Sequence, residues 1–127
     1  MASSLTYTVS VLANRWQIVR GAWTAHTDGV VTGVPVSVDR GRGIRQVLCI
    51  PGTGDDLPDD NWDVTIKDAD GMDLIKVNGG TLGTDIDQTV GAVYTFNPPV
   101  LVLSNYLLPA VSGAGSGNKG QIVIVLE

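Results

Sequence analysis

The sequence is poor in the residues that most often carry chemistry. It has one cysteine, Cys49, and one histidine, His26. A lone cysteine closes no internal disulfide, and a lone histidine with one distant cysteine offers no zinc-ligand spacing. Cys49 sits in the apolar run "RQVLCIPG", which reads as a strand carrying a buried, reduced thiol. That thiol agrees with synthesis in a reducing cytoplasm. Aromatic residues make up 6%, a thin supply for a sugar-stacking cleft. Positive charge is also scarce: 8 Lys and Arg against 13 Asp and Glu leave a net charge of −5. Nucleic acid and anionic membrane would repel such a surface, so neither is expected as a partner. No apolar run approaches the roughly 20 residues that span a bilayer. The opening "MASSLTYTVSV" has no basic segment leading into a long apolar one, so no signal peptide is expected. Helical periodicity is missing as well. No window of twelve residues keeps apolar spacing at i, i+3, i+4 and i+7 without a Gly or Pro breaking it.

Period-two alternation takes its place. "LTYTVSVL" sets Tyr7, Val9 and Val11 against Thr6, Thr8 and Ser10. "RWQIVRGAW" follows after Ala13-Asn14. "HTDGVVTGVPVSVD" holds an Asp28-Gly29 turn signal and a second run at Val34, Val36 and Val38. Pro35 donates no hydrogen bond, which places it on an edge strand or at a strand start. "IRQVLCIP" ends at Pro51-Gly52, and "NWDVTIKD" alternates Trp62, Val64 and Ile66 with Asp63, Thr65 and Lys67. "MDLIKV" reads as its return strand. "QTVGAVYTFNPP", "VLVLS", "YLLPAVSGAG" and "QIVIVLE" supply the rest. The expected fold is an all-β, jelly-roll-like antiparallel sandwich or barrel of about eight or nine strands. It forms one domain over residues 1–127, with a short flexible N-terminus over about residues 1–4. The expected core includes Trp62, Val64 and Ile66, with Ile122 and Ile124 from the closing strand. Trp16 and Trp23 lie an odd number of residues apart. They face opposite sides of one uninterrupted strand, unless Gly21 inserts a bulge.

The candidate sites each have a plain alternative. Asp63, Asp68, Asp70 and Asp73 crowd one stretch, but Gly71 falls at the fourth position of a loop begun at Asp68, and Gly79 stands where a calcium loop needs Glu. The stretch reads as a turn in which Asp side chains satisfy local amides and Gly71 supplies a positive φ. Asp55, Asp56, Asp59, Asp60 and Asp63 could hold a cation or act as paired acids on a glycoside. Nothing in their spacing sets the separation that pair requires, and a solvated loop is the simpler reading. His26 with Asp28 lacks a serine on a nucleophile elbow. "VSGAGSG" lacks the Lys-Ser/Thr ending of a phosphate loop and reads as a flexible hairpin between the last two strands. Arg40, Arg42 and Arg45 form the one positive cluster, open to phosphate binding, which the net charge of −5 disfavours, or to docking on an acidic protein surface. No catalytic residue, metal ligand or cofactor is expected, and the chain is read as a binding or structural module and not an enzyme.

The order of motifs adds one further indication. "IRQVLCIPGTGDDLPDDNWDVTIKDADGMDLIKVNGG" and the tail "FNPPVLVLSNYLLPAVSGAGSGNKGQIVIVLE" resemble the jelly-roll decoration, or cement, proteins of tailed bacteriophages. The resemblance covers roughly residues 16–127 and lies in strand order and turn chemistry. It implies a structural virion protein on the capsid exterior that bridges major capsid subunits as a homodimer or homotrimer after synthesis in the host cytoplasm. The alternative is a carbohydrate- or receptor-binding sandwich of a tail fibre or baseplate, with calcium at Asp55–Asp60 or Asp68–Asp73.

Overall fold

The computed structural model describes residues 2–13, 15–76 and 82–127. Eight strands follow one another: β1 (Ser4–Leu12), β2 (Trp16–Thr24), β3 (Val36–Ser37), β4 (Gly43–Pro51), β5 (Asp63–Lys67), β6 (Ala92–Leu101), β7 (Tyr106–Ser112) and β8 (Lys119–Leu126). Among the described residues one 3-10 turn, Gly54–Asp56, interrupts them and there is no α-helix. The strands form two antiparallel sheets. One has the order β1-β2-β8-β4-β6 and the other β3-β7-β5.

The pairings nest. β2 pairs with β8, β3 with β7 and β4 with β6, leaving β5 innermost. This is one long hairpin rolled upon itself, the jelly roll. The chain passes to the opposite sheet at every connection from β2 to β8. Two further pairings, β4 with β8 and β5 with β7, join successive turns of the roll. β1 lies outside the nest and adds to β2 without a break in register from Ser4↔Thr24 to Leu12↔Trp16.

Alternation sets the core. β2 turns Val19 and Trp23 inward and leaves Trp16 and Ile18 half-exposed on the other side. Gly21 introduces no bulge. It is small because a Cβ there would lie 3.0 Å from Leu5 Cδ1 and 3.1 Å from Tyr7 Cε1. Trp62, Val64, Ile66, Ile122 and Ile124 are all buried. The rings of Trp23 and Trp62 lie 5.3 Å apart at 51°, so the two sheets meet through a tilted aromatic pair. Gly120 makes room for this pair, since a Cβ there would fall 2.4 Å from Trp23 Cζ2. Trp62 Nε1 donates to the Asp87 carbonyl at 3.3 Å.

Several local expectations differ from the structure. "MDLIKV" is not a return strand: only Asp73 bridges back, to Lys67, and residues 74–76 turn. Leu74 and Ile75 are both buried in this turn, and Leu74 N–H donates to the Ile66 carbonyl. Val77 lies outside the described residues, as does Asn14 of the expected Ala13-Asn14 turn. "VSGAGSG" is not a hairpin between paired strands, because β7 and β8 belong to different sheets. It is packed, with Ala114 fully buried and its carbonyl accepting the Asp59 N–H at 2.9 Å. The run Val34–Val38 shrinks to the two residues of β3, which Pro35 immediately precedes. At the N-terminus, β1 already begins at Ser4, and Ser3 Oγ accepts the Thr32 N–H at 3.2 Å.

Candidate functional site

The roll gathers acidic loops at one end. The β2–β3 loop meets the β7–β8 loop through Ala25 N–H to the Asn118 carbonyl at 2.8 Å. The β4–β5 loop joins them at Ala114 and reaches the segment before β6 through Gln88 Nε2, which donates to the Pro58 carbonyl at 3.2 Å. Asp55, Asp56, Asp59 and Asp60 therefore share an end with Asp28, Asp85 and Asp87.

Several of these carboxylates are engaged locally. Asp28 Oδ1 accepts the Val30 N–H at 3.0 Å. Asp87 Oδ1 accepts the N–H groups of Val90 and Thr89, both at 2.8 Å, and the Thr89 hydroxyl. Those backbone donors hold the Asp87 carboxyl below its ordinary range. Asp63, at the start of β5, accepts the Asp85 N–H at 3.0 Å. In the β5 turn, Asp68 Oδ1 accepts from Asp70 and Met72, and Gly71 takes φ +84 as a turn requires. Asp73 accepts the Ile66 N–H, while burial raises its carboxyl pKa. Among the described residues, no three Asp, Glu, His or Cys side chains gather into a metal-holding group. His26 Nδ1 lies 3.2 Å from Thr27 Oγ1 and 3.3 Å from Asp28 Oδ1, a contact within one turn.

The positive cluster lies at the opposite end, and it is larger than the sequence suggested. Arg45 falls where the register of β4 shifts between Ile44 and Gln46. The irregularity turns its guanidinium onto Glu127, with Nε at 2.9 Å. Arg15 reaches the same carboxylate at 2.7 Å and stacks over Trp16 at 5.0 Å. Hydrogen bonds from Arg15 and Arg45 hold the Glu127 carboxyl below its usual range. Arg42 bonds Asp39 at 2.9 Å and the Arg15 carbonyl at 2.6 Å. Arg40 is exposed beside them. Arg15 and Glu127 escaped the sequence reading, because they lie far from residues 40–45 along the chain and join them only through β2 and β8.

Between these ends lies the outer face of the five-stranded sheet, where its central strands carry an apolar strip flanked by Thr8 and Ser10 of β1 on one side and Thr95 of β6 on the other. Register places Ile18, Val125 and Gln46 in one row across β2, β8 and β4. The next row is Arg20, Val123, Leu48 and Val93. Val123 is 3% exposed yet stands outside the core cluster, because its neighbours on this outer face cover it. Leu12, Trp16, Ile18, Val125, Arg45 and Gln46 line a shallow depression of about 330 Å³. One sequence signal pointed here. "IVIV" in β8 is apolar at every position, as in a strand whose two faces are both covered, and not alternating as in one with a wet face.

Cys49 faces the core from β4, 1% exposed, and burial pushes its thiol up to about 12. It is an inert packing residue. No known protein family, curated protein or solved structure matches this chain.

Proposed function

We propose that this chain is a structural virion protein that binds the outside of a tailed-phage capsid and stabilises it by bridging major capsid subunits. The observation that carries the reading is the apolar strip on the outer face of the five-stranded sheet, centred on Trp16, Ile18 and Val125. An apolar patch rimmed by polar groups on a small domain marks a surface made to be covered by another protein. The patch sits on a rigid sheet beside an ion-pair network and not in an enclosed cleft, which suits docking over a broad shell. Its near charges, Arg20 and the Arg15–Glu127–Arg45 group, would fix orientation at the rim. The jelly-roll topology and the motif order from "IRQVLCIP" onward support the same assignment. A protein that binds only the assembled shell stabilises it by mass action. Copies would sit as dimers or trimers at the rotation axes of the particle.

The test uses purified capsids lacking the protein. Added chain should co-sediment with them and raise their survival on heating. Trp16→Asp and Ile18→Asp should abolish both effects while leaving the melting temperature of the free chain within a few degrees. Equal survival of particles with and without the wild-type chain overturns the proposal.

A further inference from the structure

We propose that β1 is a self-pairing edge, through which two copies join antiparallel into one continuous ten-stranded sheet. The inference does not depend on the capsid assignment.

A sheet edge presents unpaired backbone donors and acceptors, and soluble proteins normally blunt it with charge, proline, bulges or brevity. Three of the four edges here are blunted in that way. β6 carries Pro98 and Pro99. β3 is two residues long. β5 is five residues long and ends on charges at Asp63 and Lys67, where Asp73 bridges its last residue. β1 has none of these defences. Its nine residues, "SLTYTVSVL", contain no charge, no proline and no glycine, and its pairing with β2 is free of bulges. Among the described residues, no backbone from another strand or loop bonds its outer margin.

Two observations select a second copy, in antiparallel sense, as the occupant. The first is the side-chain pattern. Leu5 and Tyr7 face the core side of the sheet, and Val9 and Val11 point the same way by alternation but remain 43% and 52% exposed. A two-fold axis through Thr8 sets Tyr7 beside Val9 of the second copy and Leu5 beside its Val11. The four uncovered valines of the pair then gain apolar neighbours, and Thr6 meets Ser10 on the other face. Cross-strand pairs of this kind are the unit of sheet stabilisation. The second observation is charge. Ser4 lies at the acidic end of the roll and Leu12 at the end bearing Arg15, Arg42 and Arg45. Antiparallel union keeps the two acidic ends apart and sets each beside the other copy's ion-paired end, where Glu127 and Asp39 balance Arg15, Arg45 and Arg42, whereas parallel union would set two acidic ends together.

Sedimentation equilibrium of the full chain over a wide dilution series should give twice the 13.3 kDa chain mass at the concentrated end. Val9→Lys adds charge to a side chain that is already exposed, so it should give a folded monomer with unchanged circular dichroism. Val11→Lys is the second variant should the first fail to fold. Thr8→Cys should cross-link to its own copy with a short bis-maleimide, since directly opposed Cβ atoms lie about 4.5–5.5 Å apart, while buried Cys49 stays unmodified. A wild-type monomer at every concentration, or a dimer that survives both lysine variants, overturns the proposal. A lysine-sensitive dimer that Thr8→Cys fails to cross-link overturns the antiparallel register.

Discussion

Removing the Trp62 ring is the most direct probe of how the two sheets are held together. The ring is fully buried, packs 5.3 Å from Trp23 and donates Nε1–H to the Asp87 carbonyl. Trp→Ala in such a place costs about 3–5 kcal/mol through lost transfer energy and the residual cavity. The aromatic pair accounts for about 0.5–1.5 kcal/mol beyond buried area, and the lost hydrogen bond for about 1 kcal/mol. Against a total stability of about 5–15 kcal/mol, that is a large fraction. Urea unfolding followed by circular dichroism should show the midpoint fall with little change in slope, which locates the loss in the native state. Trp16→Ala is the matched control. Its ring is half-exposed on the outer face, so its loss should cost about 1 kcal/mol or less, the scale of an exposed cation–π contact. A Trp62→Ala cost below about 1 kcal/mol, or equal costs for the two variants, would refute the assignment of strand faces.

Other consequences are open to simpler measurement. Gly120→Ala should destabilise by about 1–3 kcal/mol through overpacking, because its Cβ would sit 2.4 Å from Trp23 Cζ2 and 2.6 Å from the Ile50 carbonyl; urea titration checks this. Cys49 should ignore an aromatic disulfide reagent in the native chain and react fully in denaturant, and rapid labelling without denaturant would contradict its burial. On the acid side, the Glu127 carboxyl is held below its unfolded value, so its contribution is present above about pH 4.5 and is lost as pH falls through the lower folded value. Glu127→Gln should therefore flatten that part of the stability–pH curve. Asp73, raised by burial, contributes with the opposite sign, and its share fades as pH rises through its folded value.

Much of the sheet architecture could be read along the chain. Trp62, Val64 and Ile66 alternate without interruption, and strands with that period place their side chains on alternate faces in any sandwich. Counting left the facing of Trp16 and Trp23 open, and the unbroken register at Gly21 decided it for opposite sides. The turn at Asp68–Gly71 was legible because an aspartate that satisfies its own local amides needs no distant partner. Readings failed where a local pattern met a non-local demand. "MDLIKV" has strand composition, yet Leu74 and Ile75 both enter the core, and the turn at 74–76 wins over pairing. "VSGAGSG" looks like a hairpin tip, but β7 and β8 part to opposite sheets.

Composition and alternation by themselves determined an all-β sandwich and the core positions Trp62, Val64, Ile66, Ile122 and Ile124, since period two and frequent turn residues leave helices no apolar stripe to bury. Tertiary structure alone decided which strands are neighbours. The nesting of β2 with β8, β3 with β7 and β4 with β6 depends on contacts between residues up to about a hundred positions apart, on which local periodicity is silent. From that nesting come the acidic end, the Arg15–Glu127–Arg45 group and the apolar strip of the outer face. Each is assembled from side chains that only long-range pairing brings together.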